Sequence, residues 1–329
     1  MPYYPEKKTN IPEEIKQQAK ATEQRRKLLR LSLAVVSCLL IGYGGICLIQ
    51  YYSDLAASRQ TGAELLQISR PADPGTDSPL PEKEETVTPT LAPVPPAQEL
   101  QKTEPLSPVS ETIEGLLPPV PYPDNSKSEI SERFRILRKK SRYIVGWISF
   151  DQVDEAVAQK DNTFFLKHDA LGKRNINGAI FLDEDILLAV QRPYTLFLYG
   201  HNMKSGNMFG RLKKYKESAY FYQHRIITFD TMYEEGQYAV FAVMDMNTVP
   251  GTGLWYDLWS LNTDSVTDRE KAIRTLESRS VIRSVLDVQA DDQLLLLITC
   301  LDGETERLVV AARRLRDDET ADRLILRLN

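Results

Sequence analysis

The chain has 329 residues, 42% hydrophobic and 26% charged, so a buried core is expected and full disorder is excluded. The net charge of −5 is uneven: residues 1–30 are basic, 31–52 uncharged, 53–130 acidic and the remainder nearly neutral. A folded part without basic excess excludes nucleic acid as a leading partner, and three cysteines with three histidines exclude a disulfide framework and make a structural zinc site of about four ligands improbable.

Leu31 to Tyr52 is an uncharged, mostly apolar run of 22 residues. As a helix rising ~1.5 Å per residue it reaches ~33 Å, enough to cross a hydrocarbon core of ~30 Å. A cleaved signal peptide has a shorter apolar region of about 7–15 residues, so a retained single-pass anchor is expected. Lys16, Lys20, Arg25, Arg26, Lys27 and Arg30 crowd its N-terminal flank. They predict a cell-membrane protein with residues 1–30 as a cytoplasmic tail and everything after the span outside. Cys38 and Cys47 fall on opposite faces of that helix and read as small apolar filler.

Fourteen of the 19 prolines lie between Pro71 and Pro123, among Glu, Ser and Thr. Such a composition buries too little apolar surface to offset chain entropy. Residues 53–128 are therefore expected to be a disordered linker, and residues 129–329 the folded domain. Ser131 to Lys140 reads as a short amphipathic helix. Strand-like runs follow at Tyr143–Phe150, Ala179–Leu182, Thr195–Tyr199, Arg225–Phe229, Tyr238–Met244, Leu294–Thr299 and Leu308–Leu315, separated mostly by Gly, Asn and Asp. One helix, about Asp268 to Leu286, interrupts them. The expected fold is mainly β, a closed barrel or a sandwich.

Chemistry gathers at two strand ends. Cys300 closes the run Leu294–Thr299, before a turn signal at Asp302-Gly303. A lone cysteine is more often inert and buried, yet a free thiol on an exported domain faces oxidation. His201 follows the strand Thr195–Tyr199, with Gly200 between them to permit an unusual backbone angle. Arg307 opens the strand after Cys300. If the two strands pair as a hairpin, Cys300 and Arg307 share one end, while Arg313 and Arg314 sit ~20 Å further along at ~3.3 Å per residue. A thiolate nucleophile, an imidazole to handle protons and a cation for an oxyanion form an acyl-transfer set. His168 and His224 read as surface residues; Trp255 and Trp259 either line a groove or pack beneath a loop.

Leu198-Tyr199-Gly200-His201-Asn202-Met203, Met208-Phe209, Leu212-Lys213-Lys214-Tyr215, Thr299-Cys300 and Arg307-Leu308-Val309-Val310 together carry a resemblance. Over residues 130–329 the chain resembles the sortases, membrane-anchored cysteine transpeptidases of Gram-positive bacteria; the helix before the cysteine strand points to class B. The resemblance implies a closed sortase-type β-barrel with an N-terminal helix and a helix inserted before the Cys-bearing strand. It implies His201, Cys300 and Arg307 as catalytic residues and Asn162, Leu166, Ile298 and Thr299 as substrate-binding ones, with no metal and no cofactor. The implied reaction cleaves a C-terminal sorting motif of secreted proteins through a thioester on Cys300. The acyl group then passes to an amine of the peptidoglycan cross-bridge, or to water when no amine is present. A pilin-polymerising sortase using a Lys amine, and a silent membrane-tethered binding module, are the alternatives. Ile298 stands where the family usually has a small hydroxyl residue, which bears on peptide preference. Asp302 reads as a turn residue or as an orienter of His201.

Overall fold

The computed structural model describes residues 13–69, 129–188, 193–301 and 305–328. Residues through Arg59 and residues from Gln60 onward form two compact units. The described residues of the first belong to a single helix, α1 (Glu13–Ser69), which contains the uncharged run 31–52 and is long and apolar enough to cross a membrane.

The expected linker start is corrected here. α1 continues 17 residues beyond Tyr52, to Ser69. The segment 53–69 is rich in Ala, Leu and Gln and holds no proline; the first of the clustered prolines is Pro71. Without a ring to break the ladder, good helix formers extend it. Leu65 is 2% exposed and packs with Phe134, Leu137, Ile144 and Trp147, flanked by Leu66, Ile68 and Ile130. Glu64 pairs with Lys140 at 3.0 Å. The rest of the expected linker, residues 70–128, lies outside the described residues.

The barrel begins after α2 (Glu132–Lys140), whose N-cap is Ser131 and whose last turn holds Arg138, Lys139 and Lys140. Cations there complement the helix dipole. Eight strands follow: β1 (Ile144–Phe150), β2 (Val153–Ala158), β3 (Ile180–Leu182), β4 (Thr195–Tyr199), β5 (Ile226–Thr231), β6 (Gln237–Asn247), β7 (Leu294–Cys300) and β8 (Glu306–Arg314). They close in the order β1-β2-β3-β4-β7-β8-β6-β5. Only β2·β3 and β4·β7 are parallel among the paired strands. Closure removes sheet edges, and Ile148, Phe197, Phe229, Phe241, Leu296 and Val310 lie in the buried core.

α3 (Ser218–Gln223) precedes β5; α4 (Val266–Arg279) lies between β6 and β7; α5 (Ala321–Leu328) follows β8. α4 ends seven residues before the expected Leu286. Its C-cap Ser280 has extended backbone, accepts from the Val243 amide and donates to the Ile282 carbonyl. Those bonds tie the chain to β6 and leave the helix no continuation.

Candidate active site

The parallel pairing of β4 with β7 sets the geometry. Tyr199 is opposite Ile298, so the next residues, Gly200-His201 and Thr299-Cys300, leave the barrel side by side. Two bonds bind these ends: the Gly200 amide donates to the Ile298 carbonyl at 3.2 Å, and Thr299 Oγ1 donates to the Gly200 carbonyl at 2.7 Å. On the other side of β7, Cys300 is the direct cross-strand partner of Arg307. One strand end therefore carries the thiol between the imidazole and the guanidinium.

The role expected for Gly200 changes. Its backbone is not left-handed; a Cβ there would sit 2.8 Å from the Phe209 ring. Glycine is needed for that close approach. Gly178 does adopt φ +66°, and a Cβ on it would meet the Phe165 carbonyl at 2.3 Å and His201 Cδ2 at 3.1 Å. The loop under the imidazole thus depends on a missing side chain.

His201 Nε2 lies 2.9 Å from the Leu166 carbonyl oxygen. A carbonyl can only accept, so Nε2 carries hydrogen and the neutral ring has its basic lone pair on Nδ1. The loop after His201 folds back through a bridge between Asn202 and Met208, and the Phe209 amide donates to the His201 carbonyl at 3.2 Å. Met208 holds φ +49°, a strained value for its side chain, and its amide donates to Glu155 Oε1 at 3.4 Å. Burial pushes the Glu155 carboxyl above the usual carboxylate range.

All seven sequence-derived site residues, Asn162, Leu166, His201, Ile298, Thr299, Cys300 and Arg307, line one cavity of about 310 Å³. Cys300 is exposed. The Thr299 hydroxyl is committed to the strand pair, and Leu166 holds His201 through its backbone carbonyl. Sequence reasoning did not assign a site role to Tyr199, Phe181 or Thr248, which share the cavity wall. A second cavity of about 240 Å³ shares Tyr199, Thr248, Ile298 and Arg307 with the first and is lined further by Trp255 and Trp259. The two tryptophans are 38% and 40% exposed, so they belong to a groove surface. His168 stacks on Phe164 and His224 packs beside Tyr220; neither lines these cavities. Asp302 lies outside the described residues.

Residues 149–315 match the sortase domain family. The chain belongs to the sortase family, class B. It is 27% identical over 197 residues to sortase B of Listeria monocytogenes, covering 57% of this chain and 76% of that one. A Bacillus anthracis protein described as similar to sortase B superposes with a TM-score of 0.50 at 30% identity, covering 59% of this chain and 86% of the other. A Staphylococcus aureus sortase B–substrate complex gives 0.50 at 26% identity, over 58% and 88%. The family makes this sortase a cysteine transpeptidase, and the helix before β7 gives it the class B architecture.

Proposed function

We propose that this sortase cleaves a sorting motif near the C-terminus of secreted proteins and transfers the acyl fragment to an amine of the peptidoglycan cross-bridge. The observation that supports this reading most is the convergence of an exposed Cys300, His201 and Arg307 on one cavity.

Cys300, as thiolate, attacks the peptide carbonyl carbon. Charge moves onto the carbonyl oxygen, where Arg307 and a backbone N–H stabilise it. The tetrahedral intermediate collapses, the C–N bond breaks, and His201 protonates the departing amine. Since Nε2–H is held by Leu166, the proton that His201 transfers is the one on Nδ1. The incoming amine attacks the thioester, His201 takes its proton, and Cys300 leaves as thiolate. Water in place of the amine gives hydrolysis. The uncharged run of α1 serves as the membrane anchor, with residues 1–30 cytoplasmic and the barrel outside. The Staphylococcus aureus sortase B solved as a substrate complex supports a substrate-binding reading of this sortase.

The test is a peptide-library cleavage screen with the full chain in detergent micelles, followed by addition of candidate amines. Cleavage at one motif, with an amine adduct at the new C-terminus, is expected. Cleavage that survives Cys300→Ala would overturn the mechanism.

A further inference from the structure

Asp183 follows β3 and is 2% exposed, yet the catalytic steps above make no use of it. Its carboxylate gathers three neutral donors. Tyr199 Oη donates to Oδ2 at 2.9 Å, Asn162 Nδ2 donates to the same oxygen at 3.2 Å, and the Asp185 amide donates to Oδ1 at 3.0 Å. Gln159 Nε2 fixes the backbone beneath by donating to the Asp183 and Ile186 carbonyls at 2.8 and 2.7 Å. Tyr199 and Asn162 both line the cavity that holds Cys300.

A buried carboxylate accepts and never donates, so it sets the polarity of whatever it touches. Burial first, and then the Asp183 charge, push the Tyr199 phenol far above its usual range, so its proton stays on and points at Asp183. The phenol oxygen then offers the cavity only acceptance. Asn162 is oriented from both ends, because its Oδ1 accepts from the Glu184 amide at 3.0 Å. One N–H goes to Asp183, and the other remains as a donor.

We infer that Asp183 is a positioning residue for peptide binding: it locks Tyr199 as an acceptor and Asn162 as a donor on the wall of the cavity. That pair complements one peptide group of an extended substrate, which presents one N–H and one C=O. A merely structural aspartate would need no cavity-lining partners, whereas two of the three donors here are cavity residues. The inference rests on the peptide-transferring reading given above.

The experiment uses the full chain and the peptide selected by the library screen. Asp183→Asn keeps the shape but makes at least one donor face another donor. KM should rise about tenfold, equivalent to one hydrogen bond lost, with kcat within about twofold. Labelling of Cys300 by a small methanethiosulfonate should be unchanged, since the thiol end of β7 is not touched. Tyr199→Phe should raise KM similarly, and Asp183→Asn added to it should cost little more, because both remove one interaction. Multiplying effects, or a loss confined to kcat, would overturn the inference. Should Asp183→Asn fail to fold, the Asn162→Ala and Tyr199→Phe cycle replaces it; coupling through the shared oxygen is expected and strict additivity counts against. With ¹³Cζ-labelled tyrosine, the Tyr199 signal, identified by its loss in Tyr199→Phe, should move in Asp183→Asn or Asn162→Ala. An unmoved signal refutes the network. That readout decides the inference even if no peptide is cleaved, a result that would count against the proposed function instead.

Discussion

Cys300 and Arg307 are direct partners across the β7–β8 ladder, so their side chains leave the same face of the sheet. Opposed residues in an antiparallel pair have Cβ atoms about 4.5–5.5 Å apart, which brings the guanidinium within reach of a group bonded to the Cys300 sulfur. The parallel β4–β7 pair brings His201 from the other side. Cys300, His201 and Arg307 are thus brought together by three adjacent strands, without a long loop to position any of them.

Removal of the sulfur tests the first consequence. Cys300→Ala should abolish both peptide cleavage and capture of an acyl-enzyme, because alanine offers nothing to acylate. Mass spectrometry of the intact protein after incubation with peptide should show the acyl adduct on wild type and no mass shift on the variant.

Arg307 gives a graded test. Loss of an oxyanion donor costs roughly 10²–10³-fold in kcat, about 2.7–4 kcal/mol, so Arg307→Ala should fall in that range. Arg307→Lys keeps charge without the planar fork and should recover only part of the rate. Arg313 is remote, paired with Leu294, but it is no neutral control. Its side chain is 1% exposed and paired with Glu319 and Asp292, so its loss would strand buried acids. Arg274, 67% exposed on α4, is the better control and should change kcat by less than about twofold. Equal small effects at Arg307 and Arg274 would remove Arg307 from the chemistry.

The strands around Cys300, His201 and Arg307 are legible in the sequence because they are long apolar runs. Leu294–Thr299 is buried throughout and cannot be mistaken for a surface segment. β2 is not legible: Asp154 and Glu155 sit inside it, and only tertiary contact shows that Asp154 accepts from Trp147 Nε1 while Glu155 reaches Met208. Asp183 is hidden for a similar reason. In Asp183-Glu184-Asp185 it has the appearance of a solvated turn, and its burial depends on Tyr199 and Asn162, 16 and 21 positions away. Hydrophobic period reads burial; it does not read where a carboxylate finds donors.

The C-terminal ion pairs predict an acid limb in stability. Arg313 donates to Glu319, which accepts at 2.7 Å through Oε1, and this pairing holds the Glu319 carboxyl below its ordinary value of 4.5. A group depressed in the folded state stabilises it above the unfolded pKa and loses that contribution as pH falls through the folded value. Stability to urea should therefore begin to fall near pH 4.5 and continue downward. Glu319→Gln should lower stability at pH 7 and flatten that part of the acid limb. A variant whose acid limb matches wild type would show that Glu319 contributes nothing to it.

Trp255 and Trp259 give an optical readout of the groove beside the thiol. Trp147, the remaining tryptophan, is 3% exposed and hydrogen-bonded to Asp154. Peptide entering the second cavity should shift the emission of the exposed pair to shorter wavelength, as water leaves their rings. The shift should vanish in the double variant Trp255→Phe, Trp259→Phe, which keeps Trp147. Persistence of the full shift in that variant would exclude this groove from peptide binding.

Leu65 alters what a soluble form must contain. Both Leu65, near the end of α1, and Ile130, just before α2, belong to the cluster around Phe134, Leu137 and Trp147. The end of α1 and the segment entering α2 therefore meet in one apolar cluster. A form beginning at Ser128 lacks Leu65 and uncovers that cluster, whereas one beginning at Gln60 retains it. Burial of a leucine side chain is worth about 1.5–3 kcal/mol, so urea unfolding of the shorter form should give an unfolding free energy lower by that amount. Leu65→Asp in the longer form should reproduce the loss, since a carboxylate cannot take the leucine's place without a partner. The Glu64–Lys140 pair at 3.0 Å supplies the geometric check: Glu64→Cys with Lys140→Cys should be joined, in the full chain in membranes, by a bifunctional thiol reagent whose spacer matches the two side chains they replace. Equal stability of the two forms, together with no cross-link, would return residues 60–69 to the role of a spacer.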